Sequence, residues 1–261
     1  MTYYTKALGL AAALALGTGA HAASITVQTF GYGAFADLAT GNTVIEDFET
    51  RGDLTASFEG GTGLSNGDGE TFGELEQGTS LSSKVGSFTG LGGQGGGNTC
   101  RNLSIGNTTC DNIALQYDPA LNGQGNIVPE GGDWSINAAD TLGIEWTASL
   151  GGKKFSSLFF AIRDAADQGA ELTVKAGGAE VKFTDLLNSG QRLSNNNEQL
   201  VFVDFGGAVN EAVISIASSK VNDSFTIDGA GITAVPLPAA GWLMLAGFGG
   251  LAALRRRKRA A

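Results

Sequence analysis

Residues 171–183 read ELTVKAGGAEVKF, with apolar and polar side chains alternating on both sides of a Gly-Gly pair. Successive side chains of a β-strand point to opposite faces, so Leu172 and Val174 face one side and Thr173 faces the other. Glycine accepts the positive φ that tight hairpins require, which places a turn at residues 176–179. The stretch therefore predicts two antiparallel strands joined by a hairpin.

Eight further runs have strand-like composition and are separated by clusters of Gly, Asn, Asp and Ser. No sustained 3.6-residue apolar period accompanies them. The runs at 158–162 and 200–203 are apolar without alternation, which fits strands that are covered on both faces or packed partly against a loop. We predict an all-β fold, an antiparallel β-sandwich of jelly-roll type, over residues 23–234. The eight runs are 24–30, 43–49, 112–117, 141–148, 155–162, 199–205, 212–217 and 224–232.

Glycine-rich runs at residues 60–69 and 90–97 interrupt this pattern. Their composition is typical of flexible loops. Neither run ends in Lys followed by Ser or Thr, and no helix pattern follows, so they do not match phosphate-binding loops. We expect weaker order between residues 60 and 97, with flexible loops at the two glycine-rich runs.

Charge is distributed unevenly along the chain. Residues 24–234 hold all 26 acidic residues and ten of the 16 basic ones, a net charge of −16. A body this acidic has no electrostatic attraction to phosphate backbones, so we predict no nucleic-acid binding. The single histidine, His21, lies before this stretch, which excludes Ser-His-Asp and Cys-His catalysis and histidine metal ligands from the body.

The first 22 residues have the pattern of a secretory signal peptide. Lys6 provides the positive charge, residues 7–16 are an apolar run, and Ala20-His21-Ala22 fits the small-residue cleavage pattern. The alternative is an N-terminal anchor helix, which would need roughly 20 apolar residues. We predict export of the chain and cleavage near Ala22.

The C-terminal segment combines three features in a fixed order. A proline motif comes first, and an apolar stretch at 238–254 follows that is marginal in length for a transmembrane helix. A basic run then stops transfer and stays in the cytoplasm. An apolar core helix with a basic end is the alternative, which the two prolines and the terminal position of the cluster disfavour. The motif is Val235, Pro236, Leu237, Pro238 and Ala239, and the basic run is Arg255, Arg256, Arg257, Lys258 and Arg259.

This three-part order resembles the PEP-CTERM sorting tail, in its VPLPA variant, over residues 235–261. Leu237 occupies the position of the Glu in the PEP form. The resemblance implies recognition by an exosortase, a membrane transpeptidase-like enzyme, after passage through the secretion machinery. It further implies a membrane-attached precursor with its body outside the cytoplasm, then transfer to the cell surface or extracellular matrix. Short segments at 44–49, 160–170 and 225–232 resemble β-sandwich domains found ahead of such tails.

Cys100 and Cys110 are the only cysteines of the chain. An even number in an exported protein favours a disulfide bond. Closing a loop of this size would stabilise the fold by roughly 2–3 kcal/mol. The alternative is a pair of free or metal-bound thiols, but two cysteines without histidine cannot complete a closed zinc site.

Four aspartates form a candidate calcium site. Asp164 and Asp167 flank the end of a predicted strand, and Asp223 and Asp228 lie near the last one. Calcium takes oxygen ligands from such side chains, although the spacing matches no EF-hand loop. The alternative is that these residues form turns or are solvated. We predict no other cofactor.

The aromatic residue that we single out is Trp134, which follows Gly131-Gly132-Asp133 in a predicted loop. It is a candidate for stacking on a sugar ring, with core packing as the alternative. Because no catalytic motif is recognisable, we predict a non-catalytic surface or matrix protein whose body binds polysaccharide or a matrix component. The alternative is a secreted, carboxylate-dependent hydrolase of glycans, which needs two convergent carboxylates about 5 to 10 Å apart.

Overall fold

A computed structural model describes residues 24–49, 64–65, 71–74, 80–92, 113–117, 134–138, 141–165, 169–184, 198–219 and 224–235. These residues form two antiparallel β-sheets, one of nine strands and one of six. The nine-stranded sheet contains β1 (Thr26–Phe30), β2 (Thr43–Glu46), β3 (Leu64–Ser65), β4 (Thr71–Glu74), β7 (Ala114–Tyr117), β8 (Trp134–Asn137), β10 (Phe155–Arg163), β13 (Glu198–Val209) and β15 (Thr226–Ala234). The six-stranded sheet contains β5 (Leu81–Ser83), β6 (Gly86–Gly90), β9 (Gly143–Ser149), β11 (Glu171–Ala176), β12 (Ala179–Phe183) and β14 (Glu211–Ala217).

The order of the nine-stranded sheet is β1-β13-β10-β15-β8-β7-β4-β3, with β2 also pairing with β15. The order of the six-stranded sheet is β12-β11-β14-β9-β6-β5. The predicted hairpin is confirmed, with β11 and β12 joined by a turn in which Gly177 and Gly178 have φ angles of 56° and 82°. The last strand in sequence, β15, lies inside its sheet, between β10 on one side and β8 and β2 on the other.

The main core lies between the two sheets. Leu158, Phe160 and Ile162 of β10 belong to the same buried cluster as Trp146 of β9, and the Phe160 and Trp146 rings meet edge to face with centroids 6.3 Å apart. Phe88 of β6 stacks on Trp146 at a centroid distance of 5.4 Å. We call the face of the nine-stranded sheet that meets the six-stranded sheet the inner face, and we call the opposite face the outer face.

The outer face of β10 is also buried. Phe159 and Ala161 form a second cluster with Leu200 of β13 and with Phe35. Phe35 begins a one-turn helix, α1 (Phe35–Leu38), and its ring meets that of Phe159 edge to face at 5.4 Å. The apolar run at 158–162 is therefore covered on both faces, as its lack of alternation predicted.

The ten predicted strands are all present, and the two packed sheets confirm the all-β fold and the β-sandwich. No strand was predicted between residues 60 and 97, yet β5 and β6 lie in this segment and Phe88 is fully buried. Residues 1–23 and 236–261, which include the predicted signal peptide and the predicted transmembrane helix, lie outside the described residues. Within the described ranges, no helix is long and apolar enough to cross a membrane.

Candidate functional site

Asp228, one of the four predicted calcium ligands, lies in the middle of β15. It pairs in register with Ala161, which places its side chain on the outer face, and it is fully buried. Its Oδ1 accepts a hydrogen bond from the backbone N–H of Gly229 at 2.6 Å. Gly229 has a φ of 54°, and the pairing of β15 with β10 is irregular opposite Phe160. A glycine in this conformation is typical of a β-bulge, a feature that redirects the neighbouring side chains.

Asp164 lies immediately after β10 and is half-buried, with a φ of 64°. Asp164 lies three residues after Ala161, the residue that pairs with Asp228, and three residues correspond to about 10 Å along a strand. The other two predicted ligands, Asp167 and Asp223, lie outside the described residues. Among the residues that are described, no group of three carboxylate, cysteine or histidine side chains could hold a metal ion. The calcium site stays a prediction.

A group of buried polar side chains, which includes Asp228, lies on β7, β8 and β15 and just before β15. Asn137 is its centre: its Nδ2 donates to Gln116 Oε1 at 2.8 Å and to Thr226 Oγ1 at 3.5 Å. The Oδ1 of Asn137 accepts a short hydrogen bond from the hydroxyl of Ser224. We call this group the polar belt; each member is at most 1% exposed, and its members are Gln116, Ser135, Asn137, Ser224, Thr226 and Asp228.

Two atoms of the polar belt lack a hydrogen-bond partner within the described part of the chain. They are Nε2 of Gln116 and Oγ of Ser135, and the two residues face each other across β7 and β8. A buried polar atom without a partner costs about 1–3 kcal/mol. An ordered water or a ligand hydroxyl between them would satisfy both, because each can donate a hydrogen bond.

Glu46, at the end of β2, is the second fully buried carboxylate of the described residues. Its Oε1 accepts from the backbone N–H of Phe48 and its Oε2 from that of Lys84, both at 3.1 Å. Glu46 pairs in register with Ala230, whose side chain belongs to the main core, so Glu46 lies on the inner face. Asp228 lies on the outer face, and the two carboxylates therefore do not converge on one cleft.

Trp134 is the first residue of β8, so the prediction that it lies in a loop was wrong. Its side chain is half-buried and packs against the main core. Its backbone N–H donates to Oε1 of Glu49 at 2.9 Å. These contacts anchor the residue in the sandwich, and a role in stacking on a sugar stays a prediction.

Val235, the first residue of the predicted sorting motif, follows directly on the sandwich. β15 ends at Ala234, whose backbone N–H donates to the carbonyl of Asn42 at 3.1 Å. The N–H of Val235 donates to the carbonyl of Lys154 at 3.0 Å. Three predicted features lie outside the described residues: Pro236 to Ala239 of the sorting motif, the basic run at 255–259, and the disulfide between Cys100 and Cys110.

The polar belt was not found from the sequence. Its members alternate with apolar residues in ordinary strand fashion, as in Gln116 beside Leu115 and Ser135 beside Ile136. Such a pattern indicates one buried and one solvated face. The run of four residues from Trp134 to Asn137 is also too short to distinguish a strand with two buried faces from a loop.

Comparison with known proteins adds little to this description. No protein-family model matches the chain, and no curated protein matches it. A solved structure with some likeness is the K1 cleaved adhesin domain of Lys-gingipain from Porphyromonas gingivalis W83, at 13% identity and a TM-score of 0.25. The match covers 75% of this chain and 100% of that one. A likeness at this TM-score carries no argument about the function of this chain.

Proposed function

We propose that this chain is an exported protein whose non-catalytic β-sandwich body is sorted by an exosortase to the cell surface or extracellular matrix. The observation that supports it most is the position of Val235. The last core strand runs without a linker into a segment with the three-part order of a VPLPA-type sorting tail. In this proposal the body lies outside the cytoplasm, attached to the inner membrane by residues 238–254 until the tail is processed.

The non-catalytic role is supported by the two buried carboxylates of the described residues. A glycan hydrolase needs an acid and a base on the two sides of one sugar. Glu46 and Asp228 instead lie on opposite faces of one sheet, and each accepts backbone N–H bonds. Such carboxylates serve the fold.

Polysaccharide or another matrix component is the proposed partner of the body. The ring of Phe30 on the edge strand β1 is 38% exposed and meets the ring of Phe202 edge to face at 6.4 Å. These two rings give the outer face an accessible aromatic surface for an extended polymer. The jelly-roll topology and a bound calcium ion belong to the same proposal.

The sorting step is tested by two variants of the full chain. Replacing both Pro236 and Pro238 with Ala should leave unprocessed protein in the membrane fraction. Deleting residues 255–259 should misroute the chain, because the basic run fixes its orientation. Normal release of both variants would contradict the sorting proposal.

The role of the body is tested by a glycan array together with a hydrolysis screen on the exported protein. We expect binding to at least one polysaccharide class without any release of sugar. Turnover of a glycan would favour the carboxylate-dependent hydrolase. Calcium is tested in the same preparation, because an unchanged Tm after EDTA treatment, with no ion in the purified protein, would remove the calcium site.

A further inference from the structure

Three exposed lysines lie at the end of the sandwich where the chain leaves it. Lys84 lies in the turn between β5 and β6, and the backbone N–H of Ser149 donates to the carbonyl of Val85 in that turn at 3.1 Å. Lys153 and Lys154 lie in the connection from β9 to β10. We call this end the tail end, defined by residues 84–85, 150–155 and 234–235.

The pairing of the strands brings these residues together. Gly86 pairs with Ala148 near the end of β9, and Phe155 at the start of β10 pairs with Ala234 at the end of β15. The connection from β9 to β10 is a tight turn closed by a bridge between Leu150 and Lys153. Both turns therefore flank the point where Val235 follows β15.

The other basic residues of the described part of the chain are engaged or buried. Lys175 forms an ion pair with Glu180 at 3.4 Å, Lys182 pairs with Glu171, and Arg163 is buried. Lys84, Lys153 and Lys154 are exposed and form no ion pair within the described residues. Glu211, at the start of β14, is an acidic residue that pairs with Ser149, next to the tail end. The tail end thus carries an excess of lysine on a body whose net charge is −16.

We propose that the tail end docks on the anionic lipid headgroups of the membrane that holds the tail, through Lys84, Lys153 and Lys154. This inference rests on the proposed function, because the docking needs a tail inserted in the membrane. Three residues, 235–237, separate the body from the apolar segment, and an extended chain of that length spans at most about 11 Å. The Debye length at physiological ionic strength is about 8 Å, which is comparable to this upper limit, so the charges of the tail end are only partly screened from the headgroups.

The lysines offset a repulsion that the rest of the body would experience. An acidic body that close to an anionic bilayer is repelled, whereas each lysine near such a surface favours association by roughly fivefold. The three ammonium groups therefore orient the body with its tail end toward the lipid. This orientation would present the sorting motif at the membrane surface, where a membrane-embedded enzyme acts.

The test is lysine labelling of the full chain reconstituted in vesicles with its body outside. One preparation contains phosphatidylglycerol and phosphatidylethanolamine, and the other contains phosphatidylcholine alone. A membrane-impermeant acylating reagent followed by peptide mass spectrometry gives the reaction rate of each lysine. We expect Lys84, Lys153 and Lys154 to react at least about threefold more slowly in the anionic vesicles than in phosphatidylcholine vesicles. Salt at about 1 M should remove this difference, because it screens the charges almost completely.

Lys182 provides the internal control, because it lies toward the opposite end of the six-stranded sheet and should react equally in both lipids. A double variant, Lys153→Glu with Lys154→Glu, should restore the reactivity of Lys84 in anionic vesicles. The matched variant Lys182→Glu should leave the protection of Lys84 unchanged. All three substitutions are at exposed positions, and an unchanged Tm verifies that each variant folds.

The outcomes separate this inference from the proposed function. A chain that does not float with vesicles of either lipid would overturn the membrane tail and, with it, the docking. A chain that floats but shows equal lysine reactivity in both lipids would overturn the docking alone. Protection that arises in phosphatidylcholine only when the sorting enzyme is added would also overturn it, because the partner of the lysines would then be a protein.

Discussion

Glu46 joins the two sheets through a single side chain. It belongs to β2 in the nine-stranded sheet, and its Oε2 accepts from Lys84 in the turn between β5 and β6 of the six-stranded sheet. Its Oε1 accepts from Phe48, whose φ of 61° turns the chain out of the strand and sends the ring into the core against Phe88. This geometry also ends β2 at Glu46, three residues before the predicted end.

Replacing Glu46 with Ala should lower the free energy of unfolding by about 3 kcal/mol or more, because two backbone N–H groups lose a charged acceptor inside the protein. Glu46→Gln should cost less, since one oxygen remains to accept. Denaturant unfolding of the purified chain measures both. Glu180→Ala is the control at an exposed ion pair, where we expect a change below about 1 kcal/mol. Equal effects at the two positions would contradict the structural role of Glu46.

Gly231 has no room for a side chain. A Cβ at this position would overlap the ring of Phe159, which lies between β15 and α1. Gly231→Ala should therefore cost about 1–3 kcal/mol through overpacking. Gly207→Ala, where a Cβ would meet nothing within 4 Å, is the matched control and should change stability little. A double-mutant cycle with Phe159→Leu should show partial rescue, and strict additivity of the two changes would argue against this contact.

Among the secondary-structure elements, α1 covers the outer face of β10. Phe35 contributes its ring to the second buried cluster, while Asp37 of the same turn is exposed. Phe35→Ala should cost about 3 kcal/mol, the lower end for loss of a buried aromatic ring. Asp37→Ala should leave the unfolding midpoint nearly unchanged. Thermal or denaturant unfolding of the two variants decides whether α1 stabilises the sandwich or only lies on it.

The strands that the sequence predicts correctly have a clear chemical pattern. The run at 171–183 alternates, and the run at 158–162 is long and apolar, so both periodicity and burial are visible. β6 was missed because two of its five residues are glycine and Phe88 is its one large apolar side chain. Its pairing with β9 and the stacking on Trp146 are long-range contacts, which local composition does not contain.

The candidate site was predictable to a smaller extent. Asp228 was singled out as an oxygen ligand, but its burial on the outer face depends on register with Ala161 and on the irregular pairing near Gly229. Trp134 was placed in a loop because Gly131-Gly132-Asp133 precede it, yet β8 begins at this residue. Cross-strand register brings Gln116 and Ser135 together from separate parts of the chain. Register of this kind is set by the whole sheet.

For the whole molecule, the predicted disulfide between Cys100 and Cys110 stays a prediction that can be tested directly. Peptide mapping without reductant should recover the two cysteines in one linked species. Reduction should lower the free energy of unfolding by roughly 2–3 kcal/mol, the amount expected for closing a loop of this size. Recovery of two free thiols from protein purified without reductant would contradict the prediction. A Cys100→Ser, Cys110→Ser variant, insensitive to reductant, is the control.

The position of β15 has a consequence for the timing of biosynthesis. This strand comes last in the sequence, yet it fills the interior of the larger sheet between β10 and the strands β2 and β8. A nascent chain cannot close that sheet until residues 226–234 have emerged, and at about 5–20 residues per second the segment behind them follows within seconds. Completion of the core and synthesis of the predicted sorting segment thus become nearly simultaneous events. A chain that terminates before residue 226 lacks both the last core strand and the predicted sorting segment.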